Sequence, residues 1–387
     1  MKLAVITERY HPAGGGAERS THQIVSELAQ RGHAVTVLAG SAPDDAAPPG
    51  VALKALASRP NSGVAQLVRF HRFVLAALDA DGYDASLSVT MSAPATVVQP
   101  RSGCLPEVQA RNVARKRSSG ARLLKRAALA ASPKQWALGW LERRTVADPR
   151  VRRFAAVSRY VAGQLQQHHG VGEDQIEVLP NAAAMPVLDA AMRATARREL
   201  RLAHGLGEDD YVLLFAALNA SLKGLDPLLA ALKRTREQGV AATLWIAGTT
   251  RYRDLRTVAE SGVREHVRML GSTDRMAEVY AAADVTVLPT FFDPASKVVI
   301  ESLMLGVPAI STRHNGASDF IVDGAGGPAG RVIDDPWDTA ALAEAIRELA
   351  DGDERARCAA AAAGLGDRLT MTRHVDRLEA MLDELAG

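Results

Sequence analysis

The chain has 387 residues, of which 47% are hydrophobic and 23% are charged, a composition that excludes a disordered protein. Its two cysteines, Cys104 and Cys358, exclude a disulfide framework and a cysteine-rich metal cluster and favour a reducing compartment. No stretch reaches the ~18 consecutive apolar residues of a membrane span, so we expect a soluble or peripheral protein.

The first third of the chain alternates apolar strands with amphipathic helices. Strands are predicted over 3–7, 34–38, 85–90 and 96–99, and helices over 17–31 and 64–80. This βαβ rhythm predicts a parallel sheet covered on both faces.

A basic stretch with helical character interrupts the rhythm. Residues 101–153 hold 14 Lys/Arg and 3 Asp/Glu, an excess of 11 positive charges, although the whole chain carries only +2. Such a block indicates an anionic partner, whether a membrane, a nucleic acid or a phosphorylated substrate.

The alternation then resumes and continues to the end of the chain. Strands over 154–158 and 176–181 complete the first half. Strands over 211–218, 243–248, 267–271, 284–289 and 308–312 form the second half, and a last helix is predicted near 370–386. The pattern predicts two doubly wound α/β halves with a boundary near 182–208.

A glycine-rich loop follows the first strand. Gly14, Gly15 and Gly16 run directly into a helix, so the backbone can turn sharply and the first helical amides can hold a phosphate. Plain strand-to-helix packing is the alternative reading. The loop is not a dinucleotide fingerprint, because Arg19 replaces its third glycine and no acid follows the second strand.

Two further candidate sites follow strands of the second half. Lys223 lies after strand 211–218, at the sheet edge where open α/β proteins bind ligands, although a surface lysine is an equal alternative. Asp293 follows strand 284–289, and Ser296 is a candidate cap for the next helix. Glu301 lies in the second turn of that apolar helix, where a carboxylate needs either ligand hydroxyls or a structural partner.

These pieces together resemble a known family. The stretch FDPASKVVIE, followed by SLMLGVPAI and NGASD, is similar to the acid-x7-acid signature of retaining glycosyltransferases with the GT-B fold. GGGAERSTHQIVSELAQRGHAVTVL resembles the opening of family 4 of that class, and LKGLDPLLAAL and YAAADVTVLPTFFDP resemble its second-domain landmarks. Within the family the chain is most similar to the lipopolysaccharide-core glucosyltransferase type, which also has a basic helical insertion.

The resemblance implies an α/β protein of two Rossmann-like domains facing a central cleft. The acceptor-side domain would span 1–181 with the basic insertion at 101–153, and the nucleotide-sugar domain would span 182–369. A C-terminal helix over 370–387 would follow and could return to the first domain.

The resemblance also implies roles for particular residues. Glu301 would hold the ribose hydroxyls of the donor, Asp293 would bind the donor sugar near its reacting carbon, and Lys223 would neutralise the diphosphate. Further donor contacts would come from the backbone around Ser296, Lys297 and Val298 and from Gly15 and Gly16 of the first domain.

The implied reaction moves a hexose, with retention, from a nucleotide diphosphate sugar such as UDP-glucose to a glycan or glycolipid of the cell envelope, for example lipopolysaccharide core. No cofactor and no metal are expected, because Lys223 and helix N-termini can neutralise the leaving group. Two departures from the family pattern are Asp293, where glutamate is more usual, and the absence of an arginine shortly before Lys223. They leave open a degenerate sugar-binding protein; a GT-B nucleotide-sugar epimerase is a further alternative.

The basic insertion predicts a peripheral position on the anionic inner face of the plasma membrane, on the cytoplasmic side. Its apolar and basic residues interleave, and two tryptophans lie four residues apart. Too few aromatics interleave with the charges for a nucleic-acid partner. The membrane or acceptor candidates are Arg101, Arg115, Lys116, Arg117, Lys125, Arg126, Trp136 and Trp140.

Overall fold

The computed structural model describes residues 1–12, 14–57, 63–186, 188–249 and 251–386. The chain divides into two compact units. Unit 1 comprises Met1–Asn181 together with Met371–Gly387, and unit 2 comprises Ala182–Thr370. Each unit contains one parallel sheet with helices around it, so the prediction of two doubly wound α/β halves is confirmed.

Unit 1 contains a seven-stranded sheet of order β3-β2-β1-β4-β5-β6-β7. Its strands are β1 (Lys2–Arg9), β2 (Ala34–Ser41), β3 (Ala52–Ala55), β4 (Ala85–Ser88), β5 (Val97–Val98), β6 (Arg153–Ala156) and β7 (Ile176–Val178). Its helices before the domain boundary are α1 (Gly16–Gln30), α2 (Val64–Asp81), α3 (Leu105–Ala114), α4 (Ser119–Ala130), α5 (Pro133–Val146) and α6 (Arg159–His169). The chain enters at β1, runs outward to β3 and returns to β4, so the strand order reverses between β1 and β4.

Unit 2 repeats this plan with six strands in the order β10-β9-β8-β11-β12-β13. The strands are β8 (Tyr211–Ala216), β9 (Ala242–Ala247), β10 (Val267–Gly271), β11 (Val285–Leu288), β12 (Ala309–Thr312) and β13 (Gly330–Ile333). The helices are α7 (Ala190–Ala203), α8 (Leu225–Glu237), α9 (Tyr252–Ala259), α10 (Met276–Ala282), α11 (Lys297–Met304), α12 (Ser318–Val322), α13 (Thr339–Glu348) and α14 (Gly352–Ala363). Here the order reverses between β8 and β11.

The C-terminal helix α15 (Met371–Leu385) belongs to unit 1. Its buried residues recur every three or four positions, as the face of a packed amphipathic helix should. Glu379 accepts hydrogen bonds from Arg31 Nη1 and His33 Nε2, both at 2.6 Å, and these donors, His33 first, hold the pKa of its carboxyl below the usual range. His374 Nδ1 lies 2.7 Å from the carbonyl oxygen of Pro180.

Two short strands, β3 and β13, were not predicted from the sequence. Each lies at the edge of its sheet and is not a continuous buried run, since β3 is mostly exposed and the two middle residues of β13 are half-buried. Among the helices that the structure describes, none combines the length and the apolar character needed to cross a bilayer.

Candidate functional site

The loops that follow β8 and β11 meet at the carboxyl edge of the unit 2 sheet, where its strand order reverses. The backbone N–H of Phe291 donates to the carbonyl of Leu222 at 3.0 Å, which joins the two loops. Gly224 has φ +87°, and a Cβ there would lie 2.0 Å from the carbonyl oxygen of Pro289. Only glycine therefore fits at position 224, next to Lys223. The point where the strand order reverses is also the place where open α/β sheets bind ligands.

Lys223 and Asp293 form an ion pair across these two loops, between Nζ and Oδ2. Their side chains are 21% and 14% exposed, so the pair is screened from most of the solvent but remains accessible. The backbone of Asp293 is fixed by the loop after β12, because its N–H donates to His314 and its carbonyl accepts from Gly316, both at 2.9 Å. The structure thus brings together two residues that lie 70 positions apart in sequence.

The N-terminus of α11 is capped differently from the prediction. Asn315, which is 1% exposed, accepts hydrogen bonds from the backbone N–H groups of Ser296 and Ala317 through Oδ1, both at 3.1 Å. The Ser296 side chain makes no capping bond, so the prediction that it caps the helix is wrong. Its backbone N–H is paired with Asn315 Oδ1, and the predicted contact between this part of the backbone and the donor stays a prediction.

Lys297 and Val298 are the first two residues of α11. Amides in the first turn of a helix have no carbonyl partner within the helix, and the helix dipole makes this end positive. The predicted contact between this turn and a donor phosphate stays a prediction.

Glu301 lies in the second turn of α11 and is half-buried rather than buried. The hydroxyl of Tyr280, from α10, lies 3.0 Å from Glu301 Oε2 and 3.2 Å from the carbonyl oxygen of Val298. Burial, together with the charge and hydrogen bond of Glu301, raises the pKa of Tyr280 well above its ordinary value, so the phenol stays a donor. Sequence reasoning missed Tyr280, because no local pattern connects it to a residue 21 positions away.

The backbone of the glycine loop in unit 1 binds a carboxylate of the helix that follows it. Glu18 Oε2 accepts a hydrogen bond from the backbone N–H of Gly15 at 2.7 Å, and a Cβ on Gly14 would lie 2.0 Å from the same oxygen. Gly16 is the first residue of α1 and is exposed. Ala13, which precedes the three glycines, lies outside the described residues. The Gly15 amide is thus paired with a carboxylate of α1, and the predicted approach of Gly15 and Gly16 to the diphosphate or the acceptor stays a prediction.

Arg101 does not belong to the surface of the basic insertion. Its Nε donates to Gln99 Oε1 at 2.7 Å, and its Nη1 lies 3.3 Å from Thr21 Oγ1 and 3.4 Å from the carbonyl oxygen of Ala17. The guanidinium therefore lies against α1, and the prediction that Arg101 contacts the membrane or the acceptor stays a prediction.

The other residues predicted for that surface lie on α3–α5 or the turns between them. Helix α4 has no buried residue, and the side chains of Leu123 and Leu124 on it are 69% and 73% exposed. Trp136 and Trp140 on α5 are 69% and 44% exposed. The basic residues around them range from half-buried to exposed: Arg115, Lys116, Arg117, Lys125 and Arg126.

One group of potential metal ligands occurs in unit 1. Ligand atoms of Cys104, Glu142 and His169 lie within 4.8 Å of one another. Glu142 accepts from the backbone N–H of Leu105 at 3.0 Å and lies 2.7 Å from His169 Nε2. Burial, then the nearby carboxylates, raises the pKa of the Cys104 thiol. The carboxylate thus ties α3, α5 and α6 together, a structural role that sequence reasoning missed.

Family models match both halves of the chain. A model described as Glycosyltransferase Family 4 matches residues 14–183, and one described as Glycosyl transferases group 1 matches residues 209–352. The chain belongs to the GT-B glycosyltransferases. Together the models include the glycine loop, Lys223, Asp293 and Glu301.

Relatives of this glycosyltransferase match it over part of their length. D-inositol 3-phosphate glycosyltransferase of Pseudarthrobacter chlorophenolicus is 30% identical over 194 residues, 47% of this chain and 45% of that protein. Lipopolysaccharide glucosyltransferase WaaG of Escherichia coli is 24% identical over 209 residues, 54% of this chain and 55% of WaaG. The chain therefore spans about half the length of these curated relatives.

Solved structures match it over its whole length. A crystal structure of WaaG superposes with a TM-score of 0.77 at 21% identity and covers 100% of both chains. A structure of Anabaena HepE in complex with UDP-glucose gives a TM-score of 0.67 at 16% identity and covers 99% of this chain and 100% of that one. These likenesses establish the GT-B fold.

Proposed function

We propose that the protein transfers a hexose from a nucleotide diphosphate sugar to a glycan or glycolipid of the cell envelope. The observation that carries the proposal is the pairing of Lys223 with Asp293 at the reversal point of the unit 2 sheet, with Glu301 on the helix that follows. A cation paired with one carboxylate, and a second carboxylate on the following helix, suit a ligand that has a diphosphate at its centre and hydroxyl groups at both ends. The UDP-glucose complex of HepE supports this donor class.

The proposed donor contacts follow from the charges of these groups. Glu301, which is positioned by a hydrogen bond from Tyr280, accepts hydrogen bonds from the two ribose hydroxyls. Lys223 turns from Asp293 to the diphosphate, and Asp293 then accepts from hydroxyls of the sugar. The ion pair holds both groups in place until the donor replaces each partner.

The proposed transfer retains the anomeric configuration and needs no metal. The bond between the anomeric carbon and the phosphate oxygen breaks, and the acceptor oxygen bonds to the same face of that carbon. The acceptor proton passes to the departing phosphate oxygen, so no separate base is required. Lys223 and the positive end of α11 stabilise the charge that develops on the leaving group.

Proton NMR of a reaction with UDP-glucose and a delipidated lipopolysaccharide-core acceptor tests this proposal. We expect release of UDP and a product with the α configuration of the donor. A β-linked product would contradict retention. UDP-glucose that binds but does not react with a panel of envelope acceptors would indicate the degenerate sugar-binding alternative, and an epimerised free sugar would indicate the epimerase.

We further propose that residues 115–140, which include α4 and the first half of α5, place the protein on the anionic inner face of the plasma membrane. Exposed leucines and tryptophans flanked by basic side chains suit the boundary between lipid and water. Each basic residue near an anionic surface contributes about 1 kcal/mol, and the contribution falls with salt.

Co-sedimentation with vesicles of phosphatidylglycerol or phosphatidylcholine tests the membrane proposal. Binding should require the anionic lipid and should be lost when five basic residues are changed to glutamine: Arg115, Lys116, Arg117, Lys125 and Arg126. The control variant removes the same charge from exposed positions elsewhere: Arg72, Arg198, Lys233, Arg234 and Arg253. Equal loss in both variants would show that net charge alone governs binding.

A further inference from the structure

Arg101 is an arginine whose hydrogen-bond partners are all neutral. They are the side-chain oxygens of Gln99 and Thr21 and the carbonyl oxygen of Ala17. Its Nη2 atom is buried and makes no hydrogen bond. Among the residues that the structure describes, no carboxylate forms an ion pair with it.

A second arginine of the chain shows what a structural role looks like. Arg201 is 1% exposed, and its Nη2 pairs with Asp284 Oδ2 at 2.8 Å. Its Nε and Nη1 donate to four backbone carbonyls, those of Ala282, Gly207, Glu208 and Asp210. Every nitrogen of that guanidinium has a partner and the charge is neutralised, neither of which holds for Arg101.

An unneutralised, partly desolvated guanidinium destabilises the ligand-free protein. Burial lowers the pKa of Arg101 to about 10, yet the group stays charged at neutral pH. A fold keeps such a group when an anionic ligand supplies the missing partner. The planar fork of arginine suits a phosphate, which can accept two parallel N–H bonds.

The surroundings of Arg101 favour an anion as well. Arg101 follows β5, at the carboxyl edge of the unit 1 sheet, and rests against the first turns of α1, the positive end of that helix. Ser20, beside Thr21 on α1, is 1% exposed and has a hydroxyl without a partner. Two unused donors thus lie on or against the start of the same helix.

We propose that Arg101 binds a phosphate group of a substrate through its Nη2 edge, on unit 1. The inference rests on the proposed function, whose donor carries a diphosphate; a phosphorylated acceptor would be a second source of the same group. The chemistry at Arg101 is the same for both, so the experiment has one arm for each.

The first arm measures melting temperature without and with sodium pyrophosphate, at ionic strength held constant with chloride. The variants are Arg101→Met, Arg101→Lys and, as control, Arg72→Gln, which removes an exposed charge of unit 1. We expect Arg101→Met to melt at or above the wild-type temperature without pyrophosphate and to lose the stabilisation that pyrophosphate gives the wild type. We expect Arg101→Lys to retain part of it, because the charge stays but the fork is lost.

The second arm identifies the source of the phosphate. Calorimetry with UDP measures the affinity for a ligand that carries the diphosphate of the donor. Titrations with myo-inositol and myo-inositol phosphate compare the affinities for a neutral and a phosphorylated polyol. An affinity loss of about tenfold or more in Arg101→Met, for UDP or for the phosphorylated polyol alone, supports the inference and names the source.

Two results would overturn the inference. Arg101→Met could melt well below the wild type and Arg101→Lys could keep full pyrophosphate stabilisation, which would make Arg101 structural. Alternatively, no anion could distinguish the variants. Failure of the proposed function looks different: the wild type would not bind UDP, whereas pyrophosphate would still stabilise it through Arg101.

Discussion

Asp293→Asn should have opposite effects on the binding of UDP and on turnover. In the ligand-free protein, Asp293 is the anionic partner of Lys223, so a diphosphate has to compete with this carboxylate for the ammonium group. The two side chains are 14% and 21% exposed, which places the pair near the upper end of the 0.2–1 kcal/mol typical of exposed ion pairs. Removing the competitor should strengthen UDP binding by about 1 kcal/mol, or roughly fivefold.

The same substitution removes an acceptor for the hydroxyl groups of the transferred sugar. The substitution should therefore increase the affinity for UDP-glucose less than the affinity for UDP. The value of kcat should fall about 100-fold, because the contact matters most as charge develops on the sugar. Lys223→Gln is the contrasting variant and should weaken both ligands by about 1.5–3 kcal/mol.

Titration calorimetry with UDP and UDP-glucose, together with initial rates, measures these effects. Asp209→Asn serves as control, since Asp209 is an exposed acid of unit 2. Weaker UDP binding in Asp293→Asn would contradict the prediction, because it would mean that the carboxylate positions Lys223 for the diphosphate and does not compete with it.

Three further predictions concern the donor site and the chemistry. Glu301→Gln should weaken UDP-glucose binding by about 1.5–3 kcal/mol with an unchanged melting temperature, and equal affinity in calorimetry would leave Glu301 a structural acid. Tyr280→Phe removes the hydroxyl 3.0 Å from Glu301 Oε2 and should cost about 1 kcal/mol of the same affinity; a lower melting temperature with unchanged affinity would contradict a positioning role. Chelation with EDTA should leave the transfer rate unchanged. A loss of activity that added magnesium or manganese reverses would contradict the metal-free mechanism.

The fold could be predicted where local pattern and burial agree. The segment YVLLFA of β8 is apolar and almost wholly buried, and such runs identified the central strands of both sheets. The edge strand β3 could not be found, because its four residues are mostly exposed and only pairing with β2 makes them a strand.

The candidate site could be predicted only as separate residues. Lys223 and Asp293 each follow a strand, but their pairing depends on the reversal of strand order, which no local motif encodes. Ser296 satisfies the local rule for a helix cap, yet the side chain of Asn315, 19 residues away, takes that place. In the sequence, Arg101 cannot be distinguished from the other charges of the basic stretch. In the structure it follows β5, and its guanidinium contacts α1.

The most direct test of the central claim is the thermal stabilisation of the protein by a panel of nucleoside diphosphates and their glucose, galactose and mannose derivatives. A ligand at 100 times its Kd should stabilise the fold by about 2.7 kcal/mol. We predict that the protein will select one base, that the sugar derivative of that nucleotide will stabilise the wild type, and that Glu301→Gln will reduce the shift in melting temperature. No stabilisation by any member of the panel at millimolar concentration, or an equal shift in wild type and Glu301→Gln, would contradict it.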